Sequence, residues 1–104
     1  MNTNPIYAAT LRRTRRRVIL EILSQASPPA ASEITLEPVL DSLRIYGSDR
    51  DAIRSELAWL ADRGFVEIED VAGIMFATLL ADGAAIAAGK RVHPDIEKPP
   101  LRKR

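Results

Sequence analysis

The chain has no cysteine among its 104 residues and a single histidine, His93. The first absence excludes disulfides and thiolate metal ligation, and the second excludes an imidazole cluster within one chain. No metal and no cofactor is therefore expected. Long apolar runs are also missing, since nothing approaches the roughly 20 residues that span a bilayer. The opening Met1-Asn2-Thr3-Asn4 lacks the charged start and apolar core of a secretory signal, so a cytoplasmic location without membrane contact is expected. Catalytic equipment is thin too: no thiol nucleophile, no Gly-rich phosphate loop, and carboxylates that all have solvent-facing explanations. The expectation is a protein that is not an enzyme.

What remains is the composition of an ordinary globular chain, 46% hydrophobic and 28% charged, sufficient for one core and too short for two. Net charge is only +1, but it is unevenly placed. Residues 1–26 carry five arginines against Glu21, residues 27–90 carry five basic and eleven acidic groups, and residues 91–104 carry five basic and two acidic. The middle is acidic and both ends are basic. Duplex DNA attracts proteins mainly by phosphate neutralisation, so a DNA-binding surface here would draw on the ends.

From Pro5 to Gln25 the spacing of Tyr7, Leu11, Val18 and Ile22, flanked by Ile19 and Leu23, predicts an amphipathic helix. Asn4 reads as its N-cap, with proline in the first turn, and Ser27-Pro28-Pro29 as its stop. On this wheel Arg13, Arg16 and Arg17 face outward, whereas Arg15 falls on the apolar side. Arg15 either lays its stem along the core edge toward an acidic partner in the middle segment or pairs across a subunit interface. Ile34-Thr35 is expected to form a short strand. A second helix, Leu36–Tyr46, follows with Thr35 as cap, Pro38 in its first turn and Leu36, Val39, Leu40 and Leu43 buried. Gly47 then supplies a very short turn into a third helix, 49–63, capped by Ser48 and burying Ile53, Leu57 and Leu60.

After Gly64 the pattern changes to alternation, predicting strands 65–70 and 74–79 joined through Val71-Ala72-Gly73, with Val66 and Ile68 inward and Glu67 and Glu69 outward. Leu80–Ala88 reads as a small-residue helix closed by Gly89. Beyond Lys90, three prolines and a basic end predict a disordered tail, so the domain is expected to occupy residues 1–90 and the tail 91–104.

The fold class expected is mainly α with a β-hairpin (α+β), in the order helix, helix, helix, strand, strand, helix. Two helices joined by a tight turn and followed by a hairpin resemble the winged helix-turn-helix superfamily. The chain further resembles the small ArsR-like proteins of Mu-like phages and prophages. The resemblance runs through Tyr7 with Leu11-Arg12 and Arg15-Arg16 before Val18-Ile19-Leu20, then Tyr46-Gly47. It continues in Leu57-Ala58-Trp59-Leu60 with Gly64-Phe65-Val66, and in Gly83 with Ala87-Ala88-Gly89. One departure is Leu80, where winged-helix proteins often carry threonine three residues before the glycine of the last helix. The start of that helix is then either capped by Thr78 or frayed.

The resemblance implies a DNA-binding transcription regulator that forms a homodimer, frequently through its first and last helices. Helix 49–63 would be the recognition helix, with Ser48, Arg50, Arg54 and Ser55 facing DNA. Arg12, Arg13, Arg16 and Arg17 of the first helix and Arg102, Lys103 and Arg104 of the tail could track phosphate. The alternative for the arginine run is a solvated helix face, and for the tail a solubilising end. Asp49, Asp51 and Asp62 oppose DNA on the third helix, and residues 65–79 hold no basic residue, so the wing cannot place an arginine in a minor groove. The competing expectation is therefore a protein-interaction module, docking a phage or host protein through the acidic wing and third helix. Trp59 lies at the margin of its helix stripe, as core edge or as an interface anchor beside Arg15.

Overall fold

The computed structural model describes residues 4–100. Asn4 caps the first helix, α1 (Pro5–Gln25), its Oδ1 accepting from the amides of Ile6 at 2.8 Å and Tyr7 at 3.2 Å. Only the second half of α1 reaches the core. Its buried residues begin at Arg15, and Ile19, Leu20 and Leu23 are fully enclosed. Tyr7, expected on the buried side, is 64% exposed because the first turns extend past the body that would cover them.

The next strand, β1 (Ala30–Ser32), precedes rather than includes Ile34-Thr35. Its small residues carry no strand preference of their own. Pairing decides it: Ala30, Ala31 and Ser32 lie opposite Thr78, Ala77 and Phe76. Ser32, not Thr35, then caps α2 (Glu33–Ser42) through a 3.2 Å bond from the Thr35 amide, which places Pro38 in the second turn. The helix ends four residues earlier than predicted. Arg44 takes the left-handed position (φ 62°) that the sequence suggested for Gly47, and Leu43 is half-exposed rather than buried. The connection therefore runs over 43–49, with Gly47 (φ 76°) as a second left-handed residue within it.

Asp49 caps α3 (Arg50–Asp62), accepting from the Ala52 amide at 2.9 Å. Ser48, the predicted cap, is buried elsewhere. Ile53, Leu57 and Leu60 form the buried stripe as expected. Strands β2 (Val66–Val71) and β3 (Ile74–Leu79) make a hairpin closed by Ala72 and Gly73, both left-handed, and the sheet order is β1-β3-β2. Last comes α4 (Ala81–Ala87), whose N-cap Leu80 makes no side-chain bond, so Thr78 does not cap it. Among the described residues, four helices with a three-stranded antiparallel sheet make an α+β fold in winged-helix order, the short first strand lying at Ala30–Ser32 and not at the expected Ile34-Thr35.

Residues 91–100 correct the expectation of a disordered tail. Ile96 is 1% exposed and belongs to the core, and the Glu97 amide donates to the Arg13 carbonyl at 3.2 Å. Proline-rich composition misled because the order comes from packing on α1, not from local propensity. Ile96→Ala is expected to cost about 2 kcal/mol, the low end for such a truncation since an irregular segment can settle around a smaller side chain. Urea unfolding followed by tryptophan fluorescence, through Trp59, reads the change.

Candidate interaction surface

Most predicted DNA contacts on α1 are committed within the chain. The Arg15 guanidinium donates to Glu56 Oε2 (3.2 Å), Ser48 Oγ (2.9 Å) and the Gly47 carbonyl (3.2 Å). Arg16 donates to Glu56 Oε1 at 2.7 Å and to the Asp95 carbonyl at 3.0 Å. Arg15, Arg16, Ser48 and Glu56 are all buried. Arg15 thus follows the first of its two expected courses, reaching an acidic partner in the middle segment, and is covered by its own chain rather than presented to another. Arg16, placed outward by the helical wheel, is enclosed because residues 91–100 wrap that side.

Trp59 is occupied in the same way. The Arg16 and Arg63 guanidiniums lie over its ring at 3.8 and 3.9 Å from the centroid, and His93 meets it edge-on at 5.3 Å. It is an internal anchor for the C-terminal segment, not a surface one. Arg13 Nε donates to the Pro94 carbonyl at 3.1 Å, and Arg17 joins Glu97 (2.7 Å) and Glu21 (2.8 Å). Burial works against the Arg17 charge, but the hydrogen bonds to Glu97 and Glu21 outweigh it and raise its pKa above the ordinary guanidinium value. A raised pKa contributes stability that is fully present below the ordinary value and lost only as the pH climbs through the folded one, far above neutrality. Arg12 alone of the five is exposed and enters no ion pair among the described residues.

A second buried carboxylate organises the base of the wing. Glu33, fully buried, accepts at Oε2 from the Met75 amide (2.7 Å) and from Arg54 (2.9 Å). Its Oε1 has no hydrogen-bond partner and lies 3.9 Å from Arg50 Nε, which is also 3.7 Å from Glu37. Arg54, Arg50 and the hairpin are thereby tied to the start of α2. Of the predicted recognition residues, Ser48 is buried, Arg54 is paired, Arg50 is half-exposed beside two carboxylates, and Ser55 is exposed. Arg102, Lys103 and Arg104 lie outside the described residues.

The outward side of the hairpin presents acidic and apolar groups to solvent. The register sets Glu67 opposite Thr78, Glu69 opposite Phe76, and Val71 opposite Ile74, so these six side chains share the outward side of the hairpin. Val71 and Phe76 remain partly exposed, and no basic residue pairs with Glu67, Glu69 or Asp70 among the described residues. On α3 the exposed positions are Asp51, Ser55, Ala58 and Asp62, beside half-exposed Arg50.

Over 87 residues the chain is 32% identical to an uncharacterized protein, gp26, of Escherichia phage Mu, a match covering 82% of this chain and 86% of that protein. The chain belongs to the Mu gp26 family. An uncharacterized protein of Haemophilus influenzae (strain ATCC 51907 / DSM 11121 / KW20 / Rd) is 33% identical over 91 residues, covering 80% of this chain and 85% of its own length. No family model matches the chain. No solved structure matches it. The phage Mu relative supports the phage connection read from the sequence. No described helix of this member is long and apolar enough to cross a membrane.

Two functional groups escaped the sequence reading, Glu33 and Glu56. Glu56 stands three residues after Ile53 and four before Leu60, on the buried stripe of α3, just as Arg15 stands on that of α1. Opposite charges on two buried stripes were the available signal.

Proposed function

We propose that this member of the gp26 family is an ArsR-like winged-helix protein of phage type that acts as a docking module for another protein, through the outward side of the wing and α3. The observation that carries the reading is the charge of that surface. Glu67 and Glu69 are exposed beside Val71 and Phe76 on the outward side of the hairpin, and Asp70 on its other side and Asp51 and Asp62 on α3 are exposed as well, while Arg15, Arg16 and Arg54 are neutralised within the fold. Phosphate backbones are repelled by such a face, and a partner offering basic and apolar groups is drawn to it. The apolar pair gives the contact area, and the carboxylates give selectivity against acidic partners.

A second reading, DNA binding in transcription regulation, is favoured by one observation: Arg50, its side chain 49% exposed, stands in the first turn of α3, where backbone amides also favour phosphate. Fluorescence anisotropy with mixed-sequence duplex DNA separates the two. The docking reading expects binding no tighter than about 10⁻⁵ M at physiological salt and no sequence preference, within the range of non-specific contact. Any low-salt binding should vanish in a form ending at Pro100. Tight, sequence-selective binding abolished by Arg50→Glu would overturn the docking reading.

A further inference from the structure

The chain carries a surface of the kind its acidic face requires. No residue in the first ten positions of α1 is buried, so this stretch overhangs the body. Ile6 is 77% and Tyr7 64% exposed, and half-buried Leu11 follows one turn after Tyr7 on the same side. The overhang meets the 43–49 loop: a Cβ placed on Gly47 would lie 3.9 Å from Leu11 Cδ2. That loop adds Leu43 and Tyr46, both more than half exposed, and Arg44, whose Nη1 donates to the Tyr46 hydroxyl at 3.0 Å. The basic charges here are Arg12 and Arg44; no acidic residue precedes Glu21 in the chain, and the carboxylates nearest along the loop are Asp41 before it and Asp49 at its end, where Asp49 is taken up capping α3. Among the described residues, four of the eight large exposed apolar side chains therefore sit with positive charge that enters no ion pair, on elements other than the outward side of the hairpin.

We propose that the partner received by the acidic sheet face is the α1 overhang of a second copy of this chain, docked head to tail. The inference rests on the docking reading and names its occupant. Tyr7, Leu11 and Ile6 would cover Phe76 and Val71, with Arg12 and Arg44 set against Glu67 and Glu69. Pairing overhang with overhang would instead bring Arg12 of each copy toward the other and leave both acidic faces bare. A head-to-tail contact uses different surfaces on the two copies, so each dimer keeps one free overhang and one free face, and growth continues unless the rotation closes a ring. Being partly electrostatic and exposed, the contact should weaken with salt.

The test is sedimentation velocity on the wild type and two surface variants, each first checked for native circular dichroism. Tyr7→Ala with Arg12→Glu disables the overhang, and Glu67→Lys with Glu69→Lys disables the face. The expected wild-type behaviour is a mean mass rising with concentration from 11.5 kDa past the dimer, reversed by salt. Each variant alone should stay monomeric, and an equimolar mixture should give a 1:1 heterodimer that grows no further, since only one intact pair of surfaces remains. A wild type that stays monomeric at high micromolar concentration, or a dimer that persists in the face variant, overturns the head-to-tail inference. A labelled amphipathic Leu/Lys peptide tests the underlying reading separately. Binding to the wild type but not to the face variant keeps the acidic face as a docking site with another occupant, and no binding to either removes both.

Discussion

Replacing Glu56 with alanine is expected to lower stability by about 3–5 kcal/mol, seen as a fall in Tm of roughly 15–30 °C by circular dichroism. Two guanidiniums converge on this one carboxylate, Arg15 at 3.2 Å and Arg16 at 2.7 Å, with all three side chains nearly or wholly shielded from water. Removing the anion leaves two buried cations. Arg15 would retain Ser48 and the Gly47 carbonyl, and Arg16 the Asp95 carbonyl and the Trp59 ring, but none of these carries a compensating charge. A small domain has only about 5–15 kcal/mol in hand, so the loss consumes much of it.

The same carboxylate joins three parts of the chain. Arg15 and Arg16 lie on α1, Glu56 on α3, and Arg16 also reaches residues 91–100 through Asp95, with Trp59 beneath. Its loss should therefore loosen the C-terminal segment along with the core, so the Trp59 fluorescence and circular dichroism transitions should move together. Glu56→Gln keeps the shape of the side chain and removes its charge. If that variant lost less than about 1 kcal/mol, within the worth of an ordinary neutral hydrogen bond, the charge argument would fail and packing alone would account for the alanine result.

The elements that local chemistry specifies were legible from the sequence, and those that depend on distant partners were not. Asn4 before Pro5 starts α1, Gly64 separates α3 from the alternating β2, and Ala72-Gly73 closes the hairpin, each through a backbone or capping requirement of a few residues. By contrast β1 is three small residues whose strand character comes from β3, over forty positions later in the chain. The ordering of residues 91–100 comes from Ile96 entering a core built by other elements. The same distinction governs the site. An acidic wing can be counted from composition, but whether an arginine is available depends on what folds over it. A helical wheel of α1 therefore placed Arg16 in solvent when Glu56, Asp95 and Trp59 enclose it, and gave no hint that Glu33 would hold Arg54.

Gly83→Ala is expected to destabilise the fold by about 3 kcal/mol, the upper end of the ordinary overpacking cost. Local propensity predicts the opposite sign, because Gly83 lies inside α4 and alanine in a helix interior is worth up to about 1 kcal/mol more than glycine. Sterics decide. Gly83 is buried where α4 lies against Phe65, in the link between α3 and β2, and an added methyl would overlap the Phe65 carbonyl oxygen and sit 2.9 Å from Leu79 Cδ1. The leucine can turn aside, but the carbonyl cannot. Its oxygen accepts the Leu80 amide at 3.0 Å in the turn that leads into α4, and its residue is 1% exposed in the core. Relief would require α4 to lift from the body, which would also expose Ile86 and loosen the packing of α4 on α1. Chemical denaturation of the variant beside Ala85→Gly, a propensity change on the same helix without the clash, separates the two effects. A Gly83→Ala protein as stable as the wild type would mean that α4 is free to move and that this close approach does not fix its position.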